Sequence, residues 1–340
     1  MPNRFLELLA TRPWLLADGA TGTNLFAAGL QSGEAPELWN LSHPERIAAL
    51  HRSFIDAGAD IVLTNTFGGT RYRLKLHQAE DRVEELNGAA ARIARHEADA
   101  AGRPVIVAGS MGPTGELFHP LGALSVEEGR AAFAAQAKAL ARGGVDVLWV
   151  ETVSSREEIE AALAGAAEAG LPVVCTASFD TQGRTMMGIT PAQLAELCEH
   201  SPWAPAAFGA NCGVGPAELV AVMLGMSQAA SPRSVLVAKG NCGVPHWEGD
   251  AIRYDGTPPL MADYARLALD AGARIIGGCC GTTPEHLRAM RQALDAYAQG
   301  PRPDLAMVQQ RLGAVSRGAA GEGLAAGSSP RRGRRGPRKG

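Results

Sequence analysis

Four of the six cysteines in this chain fall in three short motifs: Cys212 in GANCGVGP, Cys242 in KGNCGVP, and the adjacent pair Cys279 and Cys280 in RIIGGCCGTTPEH. Thiols gathered in this way support three chemistries: packing as small apolar side chains, dithiol redox exchange, or binding of a soft metal ion. A disulfide between adjacent cysteines closes a strained ring, and no Cys-x-x-Cys spacing is present, so redox exchange explains less. A thiolate-rich zinc site explains more, because zinc takes sulfur ligands tetrahedrally and three protein thiolates leave a fourth position for water or substrate. Successive strand residues point to opposite faces, so Cys279 and Cys280 reach one ion only if the chain bends, which Gly277, Gly278 and Gly281 permit. Cys175, inside an apolar run, and Cys198, in a helical segment, read as core residues.

Such groups need elements to position them. Eight short runs rich in Val, Ile and Leu recur, beginning at Trp14, Ala59, Pro104, Val145, Pro172, Ala206, Ser234 and Ala273, and near-continuous apolar runs suit strands buried on both faces. Helical spacing lies between them, as in Pro44–Ala57, Val83–Ala101, Val126–Arg142, Arg156–Gly170 and Pro284–Gln299. Ser42, Ser125 and Thr283-Pro284 offer helix starts, and the glycines of AGAD, GGVD and AGAR offer left-handed exits. Eight strand-then-helix units predict a (β/α)8 TIM barrel over residues 1–300, with a doubly wound sheet as runner-up. DGATGT at Asp18 lacks the glycine spacing of a dinucleotide fingerprint. In a parallel barrel, chemistry sits at the C-terminal strand ends, here Asp18-Gly19, Asn65-Thr66-Phe67, Gly109-Ser110, Glu151-Thr152, Ser178–Asp180 and the three cysteine motifs.

Charge is uneven along the chain. Residues 331–340, RRGRRGPRKG, carry six positive charges, and the other 330 residues hold 26 basic and 35 acidic groups, a net −9 that gives the folded part no electrostatic reason to bind nucleic acid. Residues 301–340 are expected to be a largely disordered basic tail, either merely solvated or contacting RNA or an acidic partner. Arg4, Glu7, Arg12 and Pro13 interrupt any leader-like run and no apolar stretch has membrane-spanning length, so a cytoplasmic protein with reduced or metal-bound thiols is expected.

DGATGT (18 to 23), GANCGVGP (209 to 216) and GGCCGTTPEH (277 to 286), in this order and spacing, resemble the zinc-dependent homocysteine S-methyltransferases. That family includes betaine-homocysteine methyltransferases and the homocysteine domain of cobalamin-dependent methionine synthases. The likeness runs from about Leu15 to Leu294. It implies that Cys212, Cys279 and Cys280 hold one Zn2+ per chain, and that Asp18, Gly19 and Glu151 take the amino-acid end of homocysteine. Phe67 and Asn211 complete the expected substrate-binding set. Cys242 stands where relatives commonly carry a small residue such as alanine; a fourth protein sulfur would close the metal to substrate, so it is not expected to be a ligand.

The implied reaction makes methionine by attack of a zinc-bound homocysteine thiolate on a methyl donor, and no histidine is assigned a part. The donor is betaine or a methyl-corrinoid, such as methylcobalamin, carried by a separate protein, with S-methylmethionine third. Phe67, Tyr72, Trp39, Trp247 and Tyr254 offer walls for a quaternary ammonium. Against that, Gly68 and Thr152 stand where animal betaine enzymes carry tyrosines, and TNTF (64 to 67) and VET (150 to 152) are closer to the methionine synthase domain. Two other readings remain: a barrel enzyme of another class with a phosphate site at the GGCCGTTPEH turn, and a non-catalytic zinc or redox thiol protein. The oligomeric state is not assigned.

Overall fold

The apolar runs form a barrel. A computed structural model describes residues 3–248 and 251–319. Its strands are β1 (Leu15–Leu16), β2 (Ile61–Leu63), β3 (Ile106–Met111), β4 (Val147–Val153), β5 (Val173–Ala177), β6 (Ala207–Cys212), β7 (Leu236–Gly240), β8 (Pro245–Glu248), β9 (Ala251–Tyr254) and β10 (Ala273–Gly278). Eight of them lie parallel in the order β1-β10-β7-β6-β5-β4-β3-β2, and an Ala17–Ile61 bridge joins the two ends into a closed (β/α)8 barrel. The remaining two, β8 and β9, make an antiparallel hairpin on the connection after β7, which the sequence reading did not anticipate.

Alternation along the strands sorts side chains into two cores. Leu15, Ala17, Ile61, Leu63, Ile106, Ala108, Val147, Trp149, Val174, Val237 and Ile275 fill the barrel interior, while Leu16, Val62, Val107, Leu148, Val150, Ala238 and Ile276 face the surrounding helices. A first helix that the sequence reading missed, Arg4–Thr11, is capped by Asn3 and adds Phe5 and Leu9 to the interior core.

The helix signals hold with one exception. Helices occupy Pro44–Asp56, Val83–Asp99, Val126–Arg142, Arg156–Ala167 and Pro284–Asp295, and Gly58, Gly144 and Gly272 leave helices with left-handed backbone. Ser125 accepts from the Glu128 N–H, and Glu128 answers on the Ser125 N–H. Ser42 is not a cap: it ends a short helix, Trp39–Ser42, and its hydroxyl donates back to the Leu38 carbonyl, leaving His43 at the cap position.

Ordered structure continues past residue 300, into the first part of the segment expected to be a largely disordered tail. Leu305–Leu312 forms a helix, capped by Asp304, whose Val308 and Leu312 are buried in the outer core, and Ser316 N–H donates to Glu218. Two apolar positions one turn apart suffice to dock a short helix on an existing barrel, a signal too brief to separate from the polar stretch around it. The basic segment 331–340 lies outside the described residues. Among the described residues, no helix is long and apolar enough to cross a membrane.

Candidate metal and substrate site

Above the apolar interior, the next inward positions turn polar. Continuing the alternation inward gives Ser110 on β3, Glu151 on β4, Asn211 on β6 and Lys239 on β7, all buried at the C-terminal end of the barrel. Asn211, Lys239 and Gly277 are in register on three adjacent strands.

The three sulfurs converge just beyond that layer. Cys212 Sγ lies 2.8 Å from Cys279 Sγ and 3.9 Å from Cys280 Sγ, and all three fit within 4.8 Å of one another. Strict alternation would send Cys212 outward after the inward Asn211, but its backbone is left-handed (φ 56°), which redirects the side chain. Of the three glycines expected to bend the chain at the Cys279–Cys280 pair, Gly281 is the one at the turn. Gly277 and Gly278 still belong to β10, and the chain turns only after them, with Thr282 N–H closing on the Cys279 carbonyl and Gly281 at φ 78°. Asn241 ties the two sides together: its Oδ1 accepts from Cys280 N–H, and its Nδ2 donates to the Gly213 carbonyl.

Three thiols this close do not ionise independently. Hydrogen bonds from Cys212 and Cys279 pull Cys280 down to about 3, while the contacts with Cys279 and Cys280 push Cys212 well above the ordinary thiol range. One thiolate is therefore stabilised by two thiols, and ionising all three together calls for a cation. Three soft donors meeting at one point suit a thiophilic metal ion such as zinc. The fourth rim cysteine is elsewhere: Cys242 is buried in the outer core, its thiol contacts the Gly256 carbonyl at 3.4 Å, and burial raises its pKa to about 12. Tyr254, expected as a cage wall, packs against Gly281 next to Cys280, where a Cβ on Gly281 would come within 2.3 Å of its ring.

Next to the sulfurs is a charged cluster that the sequence reading only half saw. Asp18 accepts from Lys239 Nζ at 2.7 Å and from Leu63 N–H at 2.7 Å, and both members of the ion pair are buried. Burial works against the Lys239 charge, but Asp18 and Glu151 outweigh it and hold the ammonium above its ordinary pKa. Glu151 accepts from Ser110 Oγ at 2.5 Å, and its pKa is pushed up to about 7 by burial, against the opposing pull of Lys239. Lys239 was missed; the available signal was a lysine at an inward position of the otherwise apolar run SVLVAKG.

Glu151 owes its aim to a bulge. The β4–β5 register shifts between Val150 and Val153, and Thr152 is left-handed at φ 65°, a conformation that costs a β-branched residue about 1–3 kcal/mol. Asn211 holds it there, accepting from Thr152 N–H at 2.9 Å and donating to Thr152 Oγ1 at 2.7 Å. Its amide is thus committed to the bulge and is not among the groups lining the cavity, where the sequence reading had placed it.

That cavity, about 420 Å³, is lined by Gly19, Ser110, Glu151, Lys239 and the three cysteines and extends to the half-exposed Phe26 and Phe67. A side chain at Gly19 would come within 2.7 Å of the Phe54 ring and 2.8 Å of the Thr282 carbonyl, so backbone alone fits there. Phe26 and Phe67 are the aromatic lining among the described residues. Trp39 is buried against His43 under the Arg46 guanidinium, Tyr72 packs on the outer core, and the Trp247 side chain lies outside the described residues. At the GGCCGTTPEH turn, the Thr283 N–H and hydroxyl engage His286 Nδ1, so the protein itself fills the helix entrance that the phosphate reading needed.

Comparison with known proteins agrees with this geometry. A family model described as homocysteine S-methyltransferase matches residues 15–294. Methionine synthase of Mycobacterium tuberculosis is 32% identical over 306 residues, covering 85% of this chain, and that of Mycobacterium leprae is 32% identical over 315 residues, covering 88%. The chain spans only 25% and 26% of the length of these relatives. Among solved structures, the metallated form of the Escherichia coli homocysteine methyltransferase MmuM superposes with a TM-score of 0.71 at 27% identity, over 85% of this chain and 99% of that one. The oxidized form gives 0.71 at 26% identity, over 86% and 99%. With the matched region taking in the polar layer and all three converging cysteines, the chain belongs to the homocysteine S-methyltransferase family.

Proposed function

We propose that this chain methylates the sulfur of homocysteine to make methionine, with Cys212, Cys279 and Cys280 holding one zinc ion. The observation that carries this reading is the meeting of three sulfurs within 4.8 Å beside a cavity whose buried end bears Glu151 and Lys239, the latter paired with Asp18 behind it. One ligand with a thiol at one end and an amino-acid group at the other would engage both. Zinc bound there supplies the positive charge that keeps the substrate thiol ionised near neutral pH.

The chain's own groups do the rest. Glu151, once ionised, accepts the substrate ammonium, a charge-assisted hydrogen bond in a buried place, and the backbone of Gly19 lines the same cavity. Asn211 and the Thr152 bulge fix where Glu151 points. A carbon–sulfur bond forms as the donor's bond to the same methyl carbon breaks, so alignment along the cavity matters more than a general base. Phe26 and Phe67 form the exit through which the methyl group would arrive.

Of the two donors, a methyl-corrinoid on a separate protein has the better support. A quaternary ammonium is bound by an enclosing set of aromatic faces, and here Trp39 and Tyr72 are committed elsewhere, while the cavity's aromatic lining among the described residues is Phe26 and Phe67. Purified zinc-loaded protein given homocysteine with methylcobalamin, betaine or S-methylmethionine in separate reactions is expected to form methionine fastest with methylcobalamin. Absence of methionine from all three, with no change in the metal site's spectrum on adding homocysteine to cobalt-substituted protein, would refute the function. Faster turnover with betaine would refute the donor alone.

A further inference from the structure

Asp18 belongs to the family resemblance, but its partner Lys239 does not, and Lys239 lines the cavity beside Glu151. Lys239 extends from β7 across β10 to Asp18 at the end of β1, and the missing side chain of Gly277 makes that crossing: a Cβ at 277 would lie 2.9 Å from Lys239 Cγ. The ammonium stands 5.7 Å from the centre of the Trp149 ring, on the topmost part of the apolar interior, and the residue is 2% exposed.

An ammonium has three N–H donors. One goes to Asp18, and the side chain lines the cavity next to Glu151 and Ser110. A buried cation is stable when its remaining donors find partners, and a carboxylate arriving through the cavity is the partner that also adds charge complementarity. Without Lys239, the pocket's end would carry two carboxylates, Asp18 and Glu151, and would suit an amine. With it, the end presents a cation beside a carboxylate, the charge pattern that complements an α-amino acid.

We propose that Lys239 is a specificity-determining residue whose ammonium binds the α-carboxylate of the amino-acid substrate, while Glu151 binds its ammonium. This rests on the homocysteine reading and sharpens it. Asp18 becomes the residue that holds Lys239 in place, with its second oxygen anchored on Leu63 N–H.

The test compares homocysteine with 3-aminopropane-1-thiol, the same thiol and amine without the carboxylate, by titration calorimetry on zinc-loaded full-length protein, so no methyl donor is needed. Wild type should bind homocysteine about 10- to 100-fold more tightly than the aminothiol, the range expected for a hydrogen bond to a charged group. Lys239→Met should bring the two affinities within about threefold, mainly by weakening homocysteine. A purely structural lysine would lower both affinities alike, so a Lys239→Met protein that keeps the wild-type ratio overturns the proposal. Should the single variant fail to fold because Asp18 is left unpaired, the Asp18→Asn/Lys239→Met protein removes both charges and is read by the same ratio. A wild-type protein that binds neither thiol would refute the homocysteine reading itself, a result distinct from an unchanged ratio.

Discussion

Replacing Glu151 with glutamine separates the stability of the barrel from its readiness for substrate. Burial raises the folded-state pKa of Glu151 from 4.5 to about 7. Between those values the folded protein keeps a proton that the unfolded chain has lost, so stability falls as pH rises toward 7 and the full cost is reached above it. The shift corresponds to a cost of about 3 kcal/mol at pH 8 and about 1 kcal/mol at pH 5, where the unfolded chain is only partly ionised. Glutamine has nearly the same shape, still accepts from Ser110 Oγ, and does not ionise. In metal-free protein, Glu151→Gln should therefore gain on wild type by about 2–3 kcal/mol between pH 5 and pH 8. For roughly 300 folded residues that is a melting-point gap widening by about 4 °C, measurable by calorimetry at the two pH values. The same variant should bind homocysteine about 10- to 100-fold more weakly at pH 8, where wild type offers an ionised partner to the substrate ammonium. A melting-point difference that stays constant with pH would refute the reasoning, because it would show that Glu151 is not held protonated by its surroundings.

Other outcomes follow from the same geometry. Cys212→Ala should abolish stoichiometric zinc binding, whereas Cys242→Ala should retain it and cost about 1 kcal/mol of stability; elemental analysis of purified protein distinguishes the two. Asn211→Ala removes both hydrogen bonds to Thr152 and should cost about 2–3 kcal/mol in denaturant unfolding, with a loss of homocysteine affinity as Glu151 loses its aim. Val308→Ala should cost about 2 kcal/mol if the helix Leu305–Leu312 is part of the fold, and a melting point equal to wild type would show that it is not.

The local devices were legible in the residues. Near-continuous apolar runs mark parallel strands because both faces of each are buried, and eight of them with helical spacing between leave few architectures. Ser125 with Glu128 and the glycines at 58, 144 and 272 act through backbone within a few residues of themselves, so their signals survive without knowledge of the rest of the chain. Ser42 failed for the same local reason: a competing acceptor, the Leu38 carbonyl, lies one turn behind it.

The sequence by itself determined the barrel, the apolar interior and the thiol motifs, because strand periodicity and cysteine placement are written along the chain. Only the tertiary structure decided which thiols meet: Cys212 turns inward through its left-handed backbone, while Cys242, in a similar motif, is directed to Gly256. It also decided that Asp18 faces Lys239, 221 positions away, across a gap opened by Gly277. Closing the sheet brings the first strand beside the last, and a buried charge can be placed there only once its partner is known. Neither the closure nor the aim of a side chain at a strand end has a period that a sequence can display.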